Sequence, residues 1–131
     1  MSRREIREQI FTFLFRVEFY TQEELSEQFA LFREELGQIR PENLEYIENK
    51  IQKIVEVLEQ LDAVINEAAE KWKTTRMGKA DLTIIRLAVY EMRYEDDIPV
   101  AVAINEAVEL AKKFGTDESP KFVNGILAKL A

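Results

Sequence analysis

Between Ile84 and Leu130 apolar residues recur at helical spacing and are punctuated by a proline, a glycine and a Ser-Pro pair, a pattern that predicts three consecutive helices. Ile84, Ile85, Ala88, Val89 and Met92 make the first stripe, which Pro99 interrupts. Val100, Ile104, Ala107, Val108, Ala111 and Phe114 make the second. Gly115 follows it, where a helix commonly ends on a residue of positive φ. Ser119 and Pro120 then supply an N-cap and a proline for the first helical position. These three helices are expected to form the core onto which everything upstream packs.

The upstream chain is helical by the same criterion. Ile6, Ile10, Phe13, Leu14 and Val17 share one face of a first helix from Arg3 to about Phe19, and Phe11 and Phe15 widen that face. Thr21 with Glu24 forms a capping box that opens a second helix. Leu25, Phe29, Phe32 and Leu36 are its expected buried face, and Gly37 terminates it. From Pro41 the pattern runs through Leu44, Ile47, Ile51, Ile54, Val55 and Leu58, then Leu61, Val64, Ile65, Ala68 and Trp72. One helix of that span would be about 48 Å long, so a break is expected near Gln60 to Asp62, with Asp62 as N-cap. Lys73 to Lys79 reads as a polar connection, and Asp81 as the cap of the fifth helix. The fold class that results is all-α, about seven helices in two packed helical subdomains, within one domain spanning 1–131.

Composition removes much chemistry. The 131 residues contain no cysteine and no histidine, so disulfides, thiolate or imidazole metal sites and histidine acid–base catalysis are excluded. No glycine-rich phosphate loop or nucleophile elbow is present, and no catalytic residue, cofactor or metal is expected. Arg7, Glu8 and Arg16 interrupt the first apolar residues, so no signal peptide is read. No apolar run approaches the ~20 residues of a membrane span.

The net charge of −7 opposes nucleic-acid binding if taken alone. Its distribution is uneven, however. Residues 21–37 carry five acids against Arg33, and residues 41–70 carry eight against Lys50 and Lys53, which leaves the rest of the chain net positive. Basic residues gather in Arg3, Arg4 and Arg7 and in Lys71, Lys73, Arg76 and Lys79. The three opening arginines sit where a helix dipole prefers anions. They read either as a frayed terminus or as a phosphate site built on guanidinium forks. Phe122 reads either as core or, in the first turn of the last helix beside Lys121, as a ring that stacks on a base while the lysine engages phosphate. Arg86 lies among apolar neighbours and needs a carboxylate, for which Glu91 and Glu106 both qualify.

Three blocks of wording go further than periodicity. Ile85-Arg86-Leu87-Ala88-Val89-Tyr90-Glu91, Ile104 to Lys112 (INEAVELAK) and Lys121-Phe122-Val123-Asn124-Gly125 resemble, in that order, the bacterial transcription antitermination factor family NusB. The opening Arg3-Arg4-Glu5-Ile6-Arg7-Glu8 resembles the family's arginine-rich start, while residues 20–75 match in helical pattern alone. The resemblance implies a cytoplasmic protein that recognises single-stranded boxA RNA together with the ribosomal protein NusE, joins the RNA polymerase antitermination complex and supports transcription of ribosomal RNA operons. It implies RNA contacts at Arg3, Arg4, Arg7, Glu118, Lys121 and Phe122, and NusE contacts at Phe15 and Asp81. Family members often carry tyrosine at the first of these partner positions and glutamate at the second. Arg86, Glu106, Asn124 and Gly125 read as structural, the glycine through close helix approach. Monomer and homodimer both occur among NusB-like proteins. Two rival readings are an RNA-independent helical adaptor and a stand-alone accessory domain of RNA modification.

Overall fold

Nearly every residue from Leu82 to Glu91 is buried, because three other helical segments pack around this stretch. In the computed structural model, which describes residues 1–131, the chain divides into two compact units, Met1–Val55 and Glu56–Ala131. It contains seven α-helices and no strand.

The second unit holds α4 (Leu58–Ala68), a 3₁₀ turn (Thr74–Arg76), α5 (Lys79–Tyr94), α6 (Val100–Phe114) and α7 (Ser119–Ala128). Helix α5 is its hub, packing against α4, α6 and α7. This is why its apolar surface is wider than the single expected stripe and includes Leu82, Leu87 and Tyr90. The buried face of α6 is Ala103, Ala107, Leu110 and Ala111. It is rotated from the expected one, with Val100 and Phe114 exposed. Three of those four side chains are methyl groups, which let neighbouring helices approach closely. Helix α7 contributes Val123, Ile126 and Leu127 at i, i+3 and i+4.

The α6–α7 corner departs from the sequence reading in two ways. Gly115 has φ −99° and ψ −164°, an extended rather than left-handed conformation. Glycine is needed there for space, since a Cβ would lie 2.4 Å from the Ser119 Oγ and 2.8 Å from the Ala111 carbonyl oxygen. Ser119 is the first residue of α7 rather than its N-cap. Its buried hydroxyl accepts the Thr116 N–H at 2.9 Å, which ties the turn to the helix.

The first unit is built from α1 (Arg3–Val17), α2 (Gln22–Leu36) and α3 (Pro41–Glu56), the last running up to the division. Phe13 of α1 meets Phe29 and Phe32 of α2, with ring centroids 4.7 and 5.2 Å apart. The Arg16 guanidinium lies over Phe32 and pairs with Glu35, while Arg33 pairs with Glu48 on α3. Both α1 and α2 open on full capping boxes, Ser2 with Glu5 and Thr21 with Glu24. The first box answers how three arginines are tolerated at a helix start: Glu5 brings an anion into the same turn. Helix α2 ends at Gly37, whose φ of 66° is left-handed as expected.

The long helical region breaks at Val57, earlier than expected, where φ −114° and ψ 18° interrupt the helix. Asp62 is therefore inside α4 and is not a cap. Trp72 lies beyond the end of α4 and is 52% exposed; it is not part of the core stripe.

Candidate nucleic-acid interface

Local rules place the last helix so that two of its faces differ. Val123, Ile126 and Leu127 turn into the second unit, which leaves Lys121, Asn124, Gly125 and Lys129 exposed and Phe122 half-buried. Opposite them runs the segment that links α4 to the 3₁₀ turn. A surface groove of about 640 Å³ lies between the two, lined by Ala69, Glu70, Lys71 and Trp72 on one side. The other side is formed by Asp117, Glu118, Lys121, Phe122, Gly125, Ile126 and Lys129.

The sides of this groove carry three lysines, three carboxylates and two aromatic rings. Arg76 holds its guanidinium over the Trp72 ring at 5.1 Å from the centroid, a geometry in which the ring's electron-rich face attracts the charge. Lys129 is committed, donating to the Ala68 carbonyl at 3.3 Å and lying 3.8 Å from the Glu70 carboxylate. Lys73 is directed elsewhere, to the Asn66 carbonyl at 2.8 Å, while the Asn66 side chain accepts the Thr74 N–H. These bonds fix the connection that carries Trp72.

Three of the six expected RNA-contacting residues, Glu118, Lys121 and Phe122, line this one groove. Arg3, Arg4 and Arg7 belong to the other unit, at the start of α1, with Arg3 and Arg4 exposed and Arg7 half-buried. Phe15 is half-buried in an aromatic row along α1. Its centroid is 6.1 Å from that of Phe11 and 5.3 Å from that of Phe19. Asp81 is not the cap of α5: Gly78 stands at the N-cap, and Asp81 is in the first turn, where its charge suits the helix dipole.

The structural assignments are partly revised. Arg86 makes a two-pronged ion pair with Asp62, Nε to Oδ1 at 2.8 Å and Nη2 to Oδ2 at 2.7 Å. The expected partners were Glu91 and Glu106, whereas Asp62, expected as a cap, lies 24 residues upstream on α4. Glu91 is buried and Glu106 half-buried, and no buried side-chain nitrogen or oxygen lacks a hydrogen-bond partner. Gly125 is exposed, and a Cβ added there would meet nothing within 4 Å. Close helix approach is thus not its reason. Asn124 is exposed beside it.

Sequence reasoning missed Lys71, Trp72 and Lys129 as groove residues. The Trp72–Arg76 contact had no helical-spacing signal, because Lys73 between them is extended, at φ −63° and ψ 161°, and Trp72 continued the apolar period of α4.

A family model for the NusB family matches residues 4–131. The chain belongs to the NusB family. The transcription antitermination protein NusB of Agathobacter rectalis is 56% identical over 131 residues, covering 100% of both chains. The solved NusB of T. maritima superposes with a TM-score of 0.87 at 38% identity, over 100% of this chain and 91% of that one. A third NusB, crystallised with NusE and double-stranded RNA, shares the fold, with a TM-score of 0.81 at 24% identity over 96% of this chain and 92% of that chain. NusB proteins are antitermination factors rather than enzymes. No helix is long and apolar enough to cross a membrane.

Proposed function

We propose that this chain acts in the cytoplasm as an antitermination factor that binds single-stranded boxA RNA jointly with NusE. In this reading the complex joins RNA polymerase and supports transcription of ribosomal RNA operons. The observation that carries it is the groove of the second unit, where Lys121 and Phe122 share one surface with further lysines and an exposed tryptophan. Cations attract phosphate without regard to sequence, whereas aromatic rings take up bases that only a single strand can present. Arg3, Arg4 and Arg7 add electrostatic attraction, and Glu118 accepts hydrogen bonds from base amino groups. Phe15 and Asp81 are the NusE contacts of this proposal, the phenylalanine by packing alone since it lacks a hydroxyl.

An acidic chain of net charge −7 binds RNA weakly by itself on this view, and NusE supplies the remainder. The test is a salt-titrated binding measurement with a boxA RNA beside a scrambled control, with and without NusE. Preference for boxA that strengthens with NusE is expected. No preference between the two RNAs in either condition would instead favour an RNA-independent adaptor.

A further inference from the structure

Trp72 is the only tryptophan of the chain and leaves about half of its surface in water, 52%. An indole so exposed forgoes a large burial term, yet its position is fixed, by Arg76 stacked on the ring and by the Asn66 bonds to Lys73 and Thr74. The groove that it lines also contains Phe122, and Gly125 on the same side has no packing reason to be glycine. Lys71 and Lys121 line the groove as well, both exposed.

We infer that this groove holds an unpaired nucleobase of the bound RNA against the Trp72 indole, with Phe122 as the second aromatic surface and Gly125 leaving room for the base. Lys71 and Lys121 meet the flanking phosphates, and Arg76 keeps the indole in place while adding its own charge. Glu118 and Asp117, also in the groove, accept from exocyclic amino groups of the base. The inference rests on the RNA-binding reading above and gives Lys71, Trp72, Arg76 and Gly125 individual roles that this reading does not assign. A single-stranded RNA fits the groove better than a protein segment, because aromatic rings bordered by exposed lysines complement a base and its phosphates together.

The single tryptophan makes the test direct. A dye-labelled, single-stranded boxA oligoribonucleotide is titrated with the full chain at low salt, and RNA anisotropy is followed beside Trp72 emission. Emission should be quenched along the same saturation curve as the anisotropy. Trp72→Ala should weaken RNA affinity about tenfold, the effect of losing one base-stacking contact. Gly125→Leu, which fills the groove, should weaken it comparably while the thermal melt of both variants stays near that of the native chain. Should anisotropy rise with Trp72 emission unchanged and Trp72→Ala bind as well as the native chain, RNA binds elsewhere: this inference falls and the RNA-binding reading stands. No anisotropy change for the native chain, with NusE present or absent, overturns both.

Discussion

At Gly115 an added Cβ would be forced against Ser119 and the Ala111 carbonyl, whereas at Gly125 it would meet open space. The two substitutions by alanine should therefore differ in sign. Gly115→Ala is expected to cost about 1–3 kcal/mol through overpacking. Gly125→Ala should gain about 0.5–1 kcal/mol, because alanine is the better helix former and nothing obstructs it. Urea midpoints at constant slope measure both, and equal shifts would remove the distinction. Arg86 offers a second test at this scale. Its pair with Asp62 is half-withdrawn from water, with side-chain exposures of 13% and 26%. Deleting the carboxylate removes two charge-assisted hydrogen bonds from a largely buried guanidinium. Asp62→Ala should cost about 2 kcal/mol, less than the 3–5 of a fully buried pair because part of the charge remains solvated. A double-mutant cycle with Arg86→Met would assign that cost to the pair.

Helix starts are stabilised by short-range hydrogen bonds that can be changed one at a time. Ser2→Ala removes the acceptor for the Glu5 N–H at 3.1 Å and should cost about 1 kcal/mol of α1 stability. Faster amide exchange confined to the first turn of α1 would report it. At α2 the Thr21 N–H donates to the Glu24 carboxylate at 3.0 Å and the Thr21 hydroxyl at 2.9 Å. These bonds, the backbone one foremost, hold the Glu24 carboxyl below its ordinary pKa. A carboxyl depressed in the folded state stabilises above its unfolded pKa, and that stability is lost as pH falls through the folded value. Stability should thus decline with acid in the native chain more steeply than in Glu24→Gln. Parallel pH profiles would show that the box contributes no linkage.

Across the whole chain, charge rather than packing sets the expected RNA behaviour. For single strands the logarithm of affinity falls with the logarithm of salt by about 0.7 per neutralised phosphate. Changing Arg3, Arg4 and Arg7 together to alanine should therefore reduce the slope by about 2 if each meets a phosphate. An unaltered slope would take these arginines out of the RNA contact. The acidic segments 21–37 and 41–70 should contribute nothing to that slope and serve solubility instead.

The sequence by itself determined that the chain is helical, where α2 and α6 begin and end, and that its wording is that of NusB. All of these depend on residues within a turn or two of each other, where apolar period, capping boxes and proline act. Tertiary structure decided that Asp62 on α4 neutralises Arg86 on α5, that the long helix breaks at Val57, and that Gly115 is set by Ser119 rather than by φ. It also decided that Trp72 leaves the core to share a groove with Phe122. The Asp62–Arg86 pair and the Trp72–Phe122 groove are choices between neighbours far apart along the chain. Short-range pattern carries no term for such a choice, because a carboxylate or an indole looks the same in sequence whichever distant surface it finally meets.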